Sequence, residues 1–108
     1  MTTKTLYKST LKYYHGHVYL KLGTYINGDR RSITLMSTSN LVIAVATINL
    51  PDVPLIKSES IIKEHAGNIG MLKFLQDIGV AGPVKRYVKT NFVECPVVDI
   101  NESVIKEE

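Results

Sequence analysis

Only one stretch of this chain carries a helical period, and it is short. Over 69–78, Ile69, Leu72, Leu75 and Ile78 recur every three residues, and Phe74 widens the stripe. Ten or so residues make a marginal helix in isolation, so this one must be held by laying its stripe on something larger. Asn68 is placed to cap it, and Gly79 to end it in the left-handed conformation. The other patterned stretches read as strands. The expected fold is therefore α+β: a twisted antiparallel β-sheet of about five or six strands with one α-helix packed on one face.

The strand reading runs as follows. Over 5–14, Lys8 and Lys12 share one parity while Tyr7, Leu11 and Tyr13 take the other, which predicts a strand with one wet face. A hairpin around Gly16 leads into 18–26, where Val18, Leu20, Leu22 and Ile26 alternate with Lys21, Gly23 and Tyr25. Asn27-Gly28 tolerates positive φ and returns the chain antiparallel into 32–36. Leu41 to Ala46 is apolar on both parities, which predicts the most deeply buried strand. Small Ala44 and Ala46 leave room for the helix, with Leu41, Ile43 and Val45 filling the other side. Pro51 and Pro54 end that run. A short strand is expected near 60–63, then two more over 84–89 and 92–98, joined at Thr90-Asn91.

The 108 residues fit one domain over 1–100, followed by an acidic, frayed tail over 101–108 that has no second apolar face. The charge is uneven. Residues 1–93 carry 12 Lys and Arg against 5 Asp and Glu, a net of +7, whereas 94–108 carry 1 against 5, a net of −4. A basic body attracts nucleic acid or an acidic protein face. No apolar run approaches the ~20 residues that span a bilayer, and the N-terminus lacks an apolar signal core, so a cytoplasmic protein without a membrane partner is expected. Cys95 stands alone in an apolar context and reads as a core residue, since one cysteine makes neither an internal disulfide nor a multi-cysteine zinc site.

Patterns that carry catalysis are missing from the sequence. Gly67-Asn68-Ile69-Gly70 precedes the helix without the lysine of a phosphate-binding loop. Ser and Thr are scattered without a nucleophile elbow or a His/Asp partner pattern. His15 and His17 lie two apart, as a metal pair on an extended segment would, but a glycine between them reads as a turn and further ligands are wanting. The expectation is a non-enzymatic protein with no metal and no cofactor.

The residues best suited to binding are basic and aromatic. Lys8, Lys12 and Lys21 interleave with Tyr7, Tyr14, Tyr19 and Tyr25 on adjacent strands, pairing cations for phosphate with π-faces for bases. Arg30 with Arg31, and Lys85 with Arg86, add charge at two further points. The candidate site for a partner or nucleic acid is thus Lys8, Lys12, Tyr14, Lys21, Arg30, Arg31, Lys85 and Arg86. The plainer reading is a solvated sheet face.

Two motifs connect the chain to a family. Thr47, Asn49, Leu50 and Pro51 form a T-x-N-L-P pattern, and Ile62, Lys63, Asn68 and Gly70 fit a second pattern leading through an N-x-G turn into a helix; Phe92-Val93 before Pro96-Val97 adds a third match. With these the chain, over roughly residues 10 to 98, resembles a domain-of-unknown-function family of small proteins of bacteria, plasmids, conjugative elements and phages. It departs from that pattern at His65, where an aromatic is usual, and at Gly67, where Glu is usual. The resemblance implies a mobile-element origin. Small proteins of that kind commonly act on a host protein or ribonucleoprotein complex, CRISPR effectors among them. The expected function is inhibition of such a defence complex through an exposed sheet face or edge. A small nucleic-acid-binding protein and a homo-oligomeric structural protein are the alternatives, and the expected state is a monomer or homodimer.

Overall fold

The computed structural model describes residues 5–25, 30–90 and 93–105. Alternation organises the first half into a meander of four antiparallel strands in the order β1-β2-β3-β4: β1 Tyr7–Lys8, β2 His17–Thr24, β3 Arg31–Ser37 and β4 Val42–Val45. Leu20 opposes Leu35 and Leu22 opposes Ile33, which brings the apolar parity of both central strands to one side. The second half forms a three-stranded antiparallel sheet, order β5-β7-β6, from β5 Glu59–Ile61, β6 Arg86–Lys89 and β7 Glu94–Asp99. The fold is α+β as expected, with its strands divided between two sheets. The sheets meet where Thr47 bridges Ile62, with Ile48 N–H donating to Ile61 O and Lys63 N–H to Ala46 O.

The helix α1, Met71–Asp77, packs into the main core through Met71, Phe74 and Leu75. That core gathers Val18, Leu20, Ile33 and Leu35 from the first sheet and Val98 from the second, with Ala46 fully buried in it and Ala44 packed against it. Its stripe is Met71, Phe74 and Leu75 rather than one starting at Ile69, which is 40% exposed because the chain becomes helical only after it. A smaller cluster of Ile61, Cys95 and Val97 lies under the 48–55 connection. Cys95 is thus a core residue, and burial pushes its thiol pKa up.

Local chemistry explains where the helix begins. Asn68 does not cap it: its Nδ2 donates to Val45 O at 2.7 Å. The N-cap is Gly70, at φ +97°, and the Glu64 carboxylate reaches forward to accept the N–H groups of Gly70 at 2.8 Å and Leu72 at 2.6 Å. Two of the amides left without partners at a helix start are thereby satisfied from outside the helix. A Cβ at position 70 would stand 3.2 Å from Thr10 O, so glycine also admits the 10–12 loop, whose Lys12 N–H donates to Ile69 O. Gly79 ends the helix at φ +81°, as its position predicted.

Three expectations are corrected. The first strand is two residues long, because Ser9 turns its hydroxyl to Tyr14 O and its N–H to Gly16 O, closing a loop that buries Leu11. The 41–46 run is not the deepest strand. It ends the strand order of its sheet, and Leu41, Val42 and Val45 are 64%, 62% and 42% exposed. The tail is folded through residue 105: Glu102–Val104 forms a 3-10 turn, Asn101 N–H donates to Val80 O, and Ile105 enters the main core. The expected Asn27-Gly28 turn and the position of Asn91 lie outside the described residues.

Candidate functional site

Because side chains alternate across a strand, the register of the first sheet dictates what its two faces carry. The inner face is the core. On the outer face the partners fall in rows: Lys8 opposes His17, Tyr19 aligns with Met36 and Val42, and Lys21 aligns with Thr34 and Val45. Register shifts between Leu35 and Met36, so that Ile43 is the extra residue of a bulge and Val42 and Val45 both reach the outer face. The result is a graded surface. Exposed Lys8, His17 and Lys21 line the β1 and β2 side, and exposed Leu41, Val42 and Val45 line the β4 side. Among the described residues of these rows there is no carboxylate.

The centre of this face is closed. Tyr19 and Met36, Cα partners across β2 and β3, are each 8% exposed, and the Tyr19 hydroxyl donates to Asn40 Oδ1. Asn40 holds that position in a left-handed conformation, φ 65°, after the Ser37 turn. A ring held in this way offers no free π-face for a base. Of the other tyrosines, Tyr7 meets Phe74 edge-on with ring centroids 6.5 Å apart, Tyr25 shares a hydrogen bond with Thr47 Oγ1 at 2.8 Å, and Tyr14 lies half-buried against Gly16, while Tyr87 on β6 is 57% exposed. Tyr13, 64% exposed, has the Lys12 ammonium 5.4 Å from its ring centroid.

The structure divides the eight sequence-derived site residues into two groups. Lys8 and Lys21 share the outer face, with Lys12 exposed and Tyr14 half-buried on the neighbouring loop. Arg30, Arg31, Lys85 and Arg86 are occupied elsewhere. The Arg30 guanidinium donates to Leu50 O at 2.7 Å and to Val53 O, clamping the turn in which Val53 N–H returns to Leu50 O. Arg31 pairs with Glu102 at 3.1 Å. Arg86 forks onto Glu59 at 2.9 and 3.1 Å, and Lys85 reaches the same carboxylate at 2.8 Å and Asp99 at 3.2 Å. Arg86, then Lys85, hold the buried Glu59 carboxyl down at about 2, and Glu59 in turn raises both cations.

Two open clefts flank the clamped connection. One, of about 470 Å³, is lined by Leu50, Pro51, Asp52, Val53, Lys89 and Thr90; the other, of about 420 Å³, by Pro54, Leu55, Ile56, Glu59 and Arg86. The T-x-N-L-P residues are part of this scaffold: Thr47 Oγ1 accepts from Ile33 N–H, and Asn49 Oδ1 lies 3.4 Å from Arg30. Among the described residues no cluster of three His, Cys, Asp or Glu is placed to hold a metal ion, and no helix is long and apolar enough to cross a membrane.

Sequence reasoning missed Leu41, Val42 and Val45 as surface residues because a run that is apolar on both parities looks buried. The absence of any charge from Leu41 to Leu50 was the available signal. Comparison with protein-family models, with curated proteins and with solved structures finds no match for this chain.

Proposed function

We propose that this chain is a non-catalytic binding protein, encoded by a mobile element, that inhibits a host defence complex by docking on it through the outer face of the four-stranded sheet. The observation that carries the reading is the composition of that face: an apolar strip on β4 beside a basic strip on β1 and β2, with its only central ring sealed by Asn40. Exposed apolar side chains grouped on one edge and bounded by charge are the pattern of a protein-binding patch. The resemblance to small plasmid and phage proteins supports the kind of partner, a CRISPR effector being the first to try.

The β4 edge itself is a poor template for strand addition. Its strand is four residues long and bulged, Asn68 occupies Val45 O, and residues 61–63 pair with 46–48. These devices blunt an edge. Docking therefore uses the face.

Nucleic-acid binding is the second reading, and one observation favours it: Lys8, Lys12 and Lys21 have no carboxylate partner among the described residues. On the sheet face it requires phosphate contacts without stacking on Tyr19, the exposed rings being Tyr13 on the neighbouring loop and Tyr87 on β6.

The test is interference in cells. A strain whose CRISPR effector destroys a targeted plasmid is transformed with and without the chain. Wild-type protein is expected to restore transformation and Val45→Asp to lose that effect while remaining folded. If wild-type protein protects no plasmid against any effector class tried, the inhibitor reading is abandoned.

A further inference from the structure

We infer that the element received by the outer face is an amphipathic helix of the partner, with an apolar stripe for Val42 and Val45 and an acidic flank for Lys21 and Lys8. This rests on the proposed use of that face and specifies what the partner presents to it.

Distance is the first argument. Lys21, Thr34 and Val45 align in one row across β2, β3 and β4, so the basic and apolar strips lie two strand spacings apart, about 10 Å. A helix is about 10–12 Å across with its side chains, and can therefore set one flank on each strip while its axis follows the closed centre at Tyr19 and Met36. An added strand, about 5 Å from its neighbour, spans only one of the two.

Layering points the same way. The inner face of this sheet already packs on the core that holds α1, and the apolar strip on the outer face leaves that side open to a second layer. Charge then selects the occupant. Lys8, His17 and Lys21 meet no carboxylate in the rows of this face, while Glu64, four positions before Asn68, is turned onto the Gly70 and Leu72 amides. A second copy stacked face to face here would bring its own basic or apolar strip, and no carboxylate, to the basic strip. An acidic flank supplies what is missing, and does so across a surface where opposed charges set orientation and on-rate.

The experiment uses the full chain, isotopically labelled, and two synthetic helical peptides that share one leucine stripe. One carries Glu on the flank and the other Lys. Titration is followed by backbone amide shifts and yields a Kd for each. The Glu peptide is expected to bind about tenfold more tightly, moving the amides of Lys21, Val42 and Val45 together. Lys8→Glu with Lys21→Glu should reverse the preference, and Val45→Asp should weaken both peptides. Equal affinities, or a preference that survives charge reversal, would overturn the inference. So would a single-stranded oligouridylate that shifts Lys8 and Lys21 more tightly than either peptide, or concentration-dependent shifts at Val42 and Val45 without peptide, which would assign the face to RNA or to a second copy. If Val45→Asp abolishes inhibition in cells while the peptides are not distinguished, the face remains the docking site and only the acidic helix is lost.

Discussion

Arg86 closes on Glu59 with two hydrogen bonds, at 2.9 and 3.1 Å, across 27 positions of sequence, and Glu59 is 4% exposed. The pair fastens β6 to the end of the 48–59 connection, which Arg86 also holds through Pro54 O. Its pH dependence follows from the carboxyl, which lies at about 2 in the folded chain against an ordinary 4.5. As pH falls, the unfolded chain takes up this proton first, so the stabilisation is complete above about pH 5 and drains away between 4.5 and 2. The linkage is worth up to about 3 kcal/mol at neutral pH, and less where Lys85 and Arg86 reach water. Urea unfolding of wild type and Glu59→Gln should show a gap at pH 7 that narrows steadily below pH 4.5. A gap independent of pH would mean that packing, not charge, is what Glu59 supplies.

Gly70 is the residue where backbone and packing constrain each other most tightly. Its φ of +97° lies where L side chains rarely go, and an added Cβ would stand 3.2 Å from Thr10 O and 3.3 Å from Leu11 Cα. Gly70→Ala should cost about 1–3 kcal/mol, from backbone strain with crowding added. Gly67→Ala is the control, since a Cβ there meets nothing within 4 Å. Thermal unfolding of the two variants separates a positional requirement from a general loss of glycine.

The sequence revealed elements more readily than their neighbours. The helix was legible because 69–78 alone repeats near 3.6, and the hairpin register because Val18, Leu20 and Leu22 oppose a matching parity on β3. Two features lay beyond local pattern. Whether 41–46 is central or at an edge depends on where the chain goes after Ala46, which leaves to pair with 61–63. Whether a cation is free depends on acids far away in sequence: Arg31 finds Glu102 across 71 positions. Hence four of the seven basic site residues are committed to internal contacts, and the apolar half of the face came to light only with the strand order.

That commitment makes a prediction about Arg30. Its guanidinium holds Leu50 O and Val53 O, a geometry that a lysine's single ammonium does not reproduce. Arg30→Lys keeps the charge and should still destabilise by about 1–2 kcal/mol, with faster amide exchange at Val53. In a nucleic-acid assay Arg30→Gln, which removes the charge, should leave the slope of affinity against salt unchanged, whereas Lys8→Ala with Lys21→Ala should reduce it. A reduced slope for Arg30→Gln would place that arginine on phosphate.

The end of the described chain offers the last test, because two contacts of very different worth hold it side by side. Ile105 is 8% exposed in the main core, while the Arg31–Glu102 pair next to it has side chains 25% and 41% exposed. Burial of an aliphatic side chain stabilises far more than an ion pair open to water. Ile105→Ala should therefore cost about 2–3 kcal/mol and Glu102→Ala under about 1 kcal/mol. Raised salt should erase the second effect and leave the first. Denaturant unfolding of both variants at low and high ionic strength measures this directly. If Ile105→Ala were neutral, the 101–105 segment would be resting on the body through its charge alone, and the acidic end would be free to leave the basic body when a partner arrives.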